Sequence, residues 1–75
     1  MTKPHTHLSE VRAGREVRIV AIPDEEIRSQ LIRFGISEGS RVVCEVKLPL
    51  GPLVLRHNRQ EIAVGRQLAK TIRVS

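Results

Sequence analysis

Leu53-Val54-Leu55-Arg56-His57-Asn58-Arg59-Gln60-Glu61-Ile62-Ala63-Val64 is the stretch on which the fold turns. With Asn58 and Arg59 as a two-residue loop, His57 faces Gln60, Arg56 faces Glu61, Leu55 faces Ile62, Val54 faces Ala63 and Leu53 faces Val64. Apolar residues then meet inside, and a cation meets an anion outside. A slip of one residue would destroy both agreements, because it turns every side chain to the opposite face. The register is therefore strongly specified, and the fold is built around antiparallel strands.

Downstream, Gly65 breaks away, Arg66 to Lys70 forms one helical turn presenting Leu68 and Ala69, and Thr71 to Val74 forms a last short strand with Ile72 and Val74 inward. Upstream, Pro49-Leu50-Gly51-Pro52 interrupts the chain, because two prolines remove backbone donors and Gly51 permits a positive φ. Before it, Arg41 to Leu48 alternates, with Val42, Cys44, Val46 and Leu48 inward and Arg41, Val43, Glu45 and Lys47 outward. Ser37 to Ser40 is a turn with Gly39 at its third position.

Pro23 and Asp24 open a helix that runs to about Phe34, since Asp24, Glu25 and Glu26 suit the positive end of a helix dipole. Ile27, Leu31 and Phe34 fall on one stripe, Asp24 and Arg28 form an i, i+4 pair, and Gly35 takes a left-handed cap with Ile36 folding back beyond it. Glu16 to Ile22 is a strand, with Val17, Ile19 and Ala21 on one side and Arg18, Val20 and Ile22 on the other. Leu8 and Val11 share one side of a short capped turn, and Gly14 permits the bend that follows. Residues 1–7 are polar, contain Pro4 and show no period, so they read as a flexible arm ahead of a domain at 8–75.

Five short strands with one helix between strands 1 and 2, and a helical turn before the last strand, make a mainly β chain. Closure into a small SH3-like barrel removes its open edges. An OB-fold also uses five strands and a helix, but there the helix typically lies between the third and fourth strands.

The chain has 75 residues, 13 Lys plus Arg and 8 Asp plus Glu, a formal charge of +5. That length means one domain, too small to hold a deep catalytic cleft. No nucleophile, base and orienting group assemble among the serines, and Gly35 and Gly39 do not open a phosphate loop, so the chain reads as no enzyme, with no catalytic residues. A single Cys44 excludes an internal disulfide and suits a reducing compartment. There is no Trp or Tyr, and Phe34 alone offers little for bases to stack on. The ten arginines are scattered over every element rather than clustered, so no nucleic-acid partner is expected. The longest apolar run, Ile19 to Ile22, is far too short to span a membrane, and the first seven residues lack the apolar core of a secretory signal.

His5-x-His7 is the one metal-like spacing, a weak candidate for Fe(II) or Zn(II) because two imidazoles leave a coordination sphere half empty. Cys44, by alternation, belongs to the core, and His57 is expected exposed at a hairpin tip. No cofactor is required by anything in the sequence.

From Leu8 to Val74 the pattern resembles the FeoA family, small cytoplasmic proteins of bacterial ferrous iron uptake. The matching pieces are Leu8-x-x-Val11-x-x-Gly14, Ile19, Leu31-x-x-x-Gly35-Ile36-x-x-Gly39, Gly51-Pro52-Leu53, Ile62-Ala63-Val64 and Ala69-x-x-Ile72-x-Val74. Glu38 stands where that family often has proline, and Phe34 where leucine is common. The same pattern resembles the C-terminal domain of iron-dependent repressors, although no helix-turn-helix precedes it here. The resemblance implies an SH3-like barrel, with Gly14, Gly35, Gly39 and Gly51 as structural positions. It also implies a regulatory association with FeoB, a membrane permease with a GTP-binding domain, and action at the inner face of the plasma membrane. The matched residues specify fold more than site. From the residues themselves, the expected contact is the loop Pro49, Leu50, Gly51 and Pro52, with Leu50 as an anchor on a loop that loses little entropy on docking. A small metal-ion carrier or sensor and a basic SH3-like nucleic-acid module are the alternatives. Open strand edges would allow a weak homo-oligomer.

Overall fold

The computed structural model describes residues 6–75. The elements are β1 (Thr6–His7), a 3-10 turn (Leu8–Glu10), β2 (Glu16–Ala21), α1 (Glu25–Ile32), β3 (Arg41–Lys47), β4 (Leu53–His57), β5 (Gln60–Val64), α2 (Arg66–Ala69) and β6 (Arg73–Val74). They form one antiparallel sheet of six strands in the order β1-β6-β2-β3-β4-β5, with an SH3-like fold. The sheet does not close into a ring, and it holds one strand more than the five expected. The addition is β1, where Thr6 pairs with Val74 and His7 with Arg73. Two polar residues carry no period to betray a strand; they are held by Leu8, fully buried, whose N–H donates to Ile72 O at 2.8 Å. The expected arm therefore ends before Thr6, and its first five residues lie outside the described ones.

The β4–β5 hairpin has the register read from the sequence, from Leu53 opposite Val64 to His57 opposite Gln60. Asn58 (φ 49°) and Arg59 (φ 67°) close it in the left-handed backbone conformation, which lets a two-residue loop match the right-handed twist of the strands. Arg56 ion-pairs with Glu45 of β3 at 3.3 Å, although Glu61 is its partner in register.

The core takes Leu8 and Val11 from the first turn, Ile19 and Ile22 from β2 and its end, and Ile27 and Leu31 from α1. Val42 and Cys44 of β3, Leu53 and Leu55 of β4, and Ile62 and Val64 of β5 join it, with Ile36, Ala69, Ile72 and Val74. Ile19 and Ile22, three apart, both point inward because the β2–β6 register shifts between Ile19 and Ala21.

Helix α1 is capped by Asp24, whose Oδ1 accepts from Ile27 N–H at 3.0 Å. It ends at Ile32, two residues short of the expected Phe34. Gly35 (φ 79°) donates to Ile32 O and Ile36 donates to Leu31 O, at 2.9 and 3.0 Å. This Schellman arrangement turns the chain so that Ile36, not Phe34, completes the apolar stripe: Ile36 is fully buried, while Phe34 is 43% exposed. The expected Asp24–Arg28 pair does not form. Asp24 is spent on the cap, and Arg28 Nη2 instead donates to Glu38 Oε2 at 3.2 Å and to Ile22 O at 3.0 Å. Glu38 Oε2 also accepts from Ile22 N–H at 3.2 Å, so the residue that departs from the family pattern locks α1 to the end of β2.

Candidate protein-docking site

The alternation of β3 places Val46 and Leu48 in the core, and the structure corrects this. The β3–β4 register shifts between Cys44 and Val46, so that Cys44 faces Leu55 but Val46 faces Val54 and Lys47 faces Leu53. The extra residue turns the rest of the strand over, leaving Val46 44% and Leu48 45% exposed. A bulge leaves no signature in a hydrophobic pattern that keeps its period, which is why the sequence reading missed it.

Beyond β3 the chain makes a tight turn. Leu48 O accepts from Gly51 N–H at 3.3 Å, with Pro49 and Leu50 at the corners, and Leu48 N–H donates to Pro52 O at 3.4 Å. Proline at the first corner presets its φ. Leu50, at the tip, is 98% exposed. Gly51 does not adopt the expected positive φ; its role is close approach, since a Cβ there would sit 3.2 Å from Leu48 Cβ. Positive φ belongs instead to Gly14, Gly35 and Gly39. From the far side of the turn, Arg66 at the start of α2 donates through Nη2 to Leu48 O, and its Nε is buried without a partner. Pro49, Leu50, Gly51 and Pro52, the contact loop expected from the sequence, thus form a braced turn. Arg66, 18 residues away, is a contributor no local pattern could reveal.

The metal candidates fare differently. His5 lies outside the described residues. His7 turns onto Glu10, whose Oε1 accepts its backbone N–H at 3.0 Å and lies 3.6 Å from its Nδ1. Among the described residues, no group of three or more His, Cys, Asp or Glu is placed to share an ion. Cys44 is fully buried, and desolvation pushes its thiol above its ordinary value of 9.0 against the weaker opposing pull of Lys47. His57 is half-buried rather than exposed: Nδ1 sits 3.0 Å from Arg41 O and Nε2 sits 3.3 Å from Asn58 Nδ2. The carbonyl can only accept, so Nδ1 carries the proton and Nε2 accepts from the amide. His57 therefore pins the hairpin tip to β3. A shallow groove of about 270 Å³ runs between α1 and β5, with Ile27, Leu31, Phe34 and Leu68 on its walls. Among the described residues no helix is long and apolar enough to cross a membrane.

The FeoA domain model matches residues 6–75. No curated protein matches the chain. Among solved structures, an iron uptake regulatory protein (FeoA) is 25% identical with a TM-score of 0.82, covering 95% of this chain and 96% of that one. A FeoA-like protein from Clostridium acetobutylicum is 28% identical with a TM-score of 0.79, covering 100% of this chain and 88% of that one. A manganese-dependent transcriptional repressor shares the fold at 21% identity and a TM-score of 0.80, covering 99% of this chain but 42% of its own, so the resemblance is to one module of it. The chain belongs to the FeoA domain family, small accessory domains of ferrous iron transport rather than a known enzyme family.

Proposed function

We propose that the chain is a non-catalytic regulatory accessory of bacterial ferrous iron transport that acts in the cytoplasm by docking on a FeoB-type GTP-binding iron permease. The observation that carries this reading is Leu50, 98% exposed on a turn braced by two prolines and Arg66. A large apolar side chain held rigidly in water has no stabilising contact to make within its own fold, and it loses little entropy when it meets a partner. No resident metal or cofactor is needed for this role, and iron is the cargo of the partner.

The test uses full-length FeoB-type permease in nanodiscs and the purified chain. Leu50→Asp should abolish binding while leaving the melting temperature unchanged, because nothing packs against the side chain it replaces. Undiminished binding by this variant would eliminate the reading.

A further inference from the structure

We infer that the free edge of β5 and the groove beside it form a second docking site, which takes an extended segment of a partner protein with an apolar–cation–apolar pattern. The site is separate from the turn at Leu50 and does not depend on the function proposed for that turn. With Asn58 and Arg59 as a two-residue loop, His57–Gln60, Leu55–Ile62 and Leu53–Val64 are the pairs that exchange ladder hydrogen bonds. The backbone N–H and C=O groups of Glu61 and Ala63 therefore point away from β4, and β5 ends the sheet, so no strand meets them. Four consecutive residues of this strand, Glu61 to Val64, line the groove of about 270 Å³, opposite Ile27 and Leu31 of α1, Phe34 and Leu68. Successive residues of a strand point to opposite faces, so a wall made of four in a row is the strand's backbone edge.

Backbone donors and acceptors left open at strand spacing are met by another extended backbone, whereas an apolar wall alone would accept a helix or an acyl chain equally well. Ile62 and Val64 are buried in the core with Ile27 and Leu31, and Glu61 and Ala63 are exposed on the other face. An added strand continues that alternation: its residue opposite Glu61 turns outward with it, and the residues on either side turn in toward Leu31 and Phe34. Phe34, 43% exposed, is the largest side chain on that wall. Glu61 is the one charged residue lining the groove, and among the described residues it forms no ion pair, because Arg56 across the ladder is held by Glu45 at 3.3 Å. The residue set opposite it is therefore Lys or Arg. The β5 strand of a second copy has outward-pointing backbone groups at Glu61 and Ala63, so it would set Glu61 against Glu61 or Ala63 and supply no cation.

Selection of a random decapeptide library displayed on phage against the purified chain tests this, with the enriched peptides then synthesised and titrated. The expected peptides carry two apolar residues two apart with Lys or Arg between them, and their binding protects the Glu61 and Ala63 amides from hydrogen exchange. Ala63→Pro removes a donor that the fold itself does not use, and should weaken binding about tenfold while the chain stays folded. Phe34→Ser should weaken it by roughly three- to tenfold. Should Ala63→Pro fail to fold, Phe34→Ser and the exchange pattern decide. Glu61→Lys should switch the central residue of the enriched peptides to Asp or Glu; selection indifferent to it overturns the role of charge. The site is wrong if no peptide is enriched, if apolar residues recur at helical spacing, or if bound peptide leaves both amides unprotected. Dimerisation that protects Glu61 and Ala63 in the free chain would give the edge to a second copy instead. Leu50→Asp should bind the peptides as wild type, which separates this site from the turn.

Discussion

Glu38 offers the sharpest test of how α1 is held. Ile22 is the last buried residue of its segment, and Pro23 follows it, so the chain leaves the ladder there and both backbone groups of Ile22 need other partners. Its N–H is accepted by Glu38 Oε2 at 3.2 Å, and its carbonyl accepts from Arg28 Nη2 at 3.0 Å. The same carboxylate oxygen meets Arg28 at 3.2 Å, with the two side chains 46% and 44% exposed. An ion pair that open to water is worth up to about 1 kcal/mol, whereas stranding a backbone donor costs about 1–3 kcal/mol. Glu38→Ala, which removes both, should therefore lose about 2 kcal/mol. For a domain of this size that lowers the melting temperature by about 8–16 °C. Glu38→Gln keeps an oxygen for Ile22 N–H and loses the charge, for a cost of about 0.5 kcal/mol, or about 2–4 °C. Far-UV circular dichroism is the suitable probe, since the chain has no Trp or Tyr. If Glu38→Gln falls as far as Glu38→Ala, or if 0.5 M salt alone reproduces the loss, the ion pair dominates and the backbone argument is wrong.

Cys44 makes stability depend on alkaline pH. Burial raises its thiol above 9.0, so the folded chain keeps a proton that the unfolded chain releases. That contribution is intact well below the unfolded thiol's value and is lost as pH rises toward the raised native one, so the stability gap between wild type and Cys44→Ala should narrow as pH is taken past about 9 in urea titrations; a constant gap refutes it. Arg59, at φ 67°, carries a side chain where the hairpin loop favours glycine. Arg59→Gly should stabilise the chain by about 0.5–1 kcal/mol, read as a melting temperature raised by several degrees, and a decrease would mean that Arg59 makes a contact worth more than the strain.

The exposed apolar residues at the end of β3 appear where local rules give way. From Cys44 to Leu48 the chain alternates apolar with polar residues, yet the two sides of the shift in β3 face opposite ways. Had the alternation held, the turn would present Leu50 alone. The bulge converts the end of a core strand into an apolar strip, and Arg66 fixes the turn from the opposite side.

Some of this was dictated by neighbours along the chain. The β4–β5 register, the cap at Asp24, the left-handed Gly35, the inward Cys44 and the broken segment at Pro49 to Pro52 all depend on residues within a few positions of one another, where period, capping and turn chemistry act. The rest was decided by contacts distant in sequence. Pairing with β6 made Thr6–His7 a strand, Glu38 drew Arg28 away from Asp24, and the Arg41 carbonyl tied down His57. The shift in β3 turned Val46 and Leu48 outward, and the unclosed sheet left β5 without a second neighbour. The division has one physical cause: a hydrophobic pattern records that a residue can be buried, whereas which residues are buried depends on strands and side chains packed from elsewhere in the chain, which local sequence does not encode.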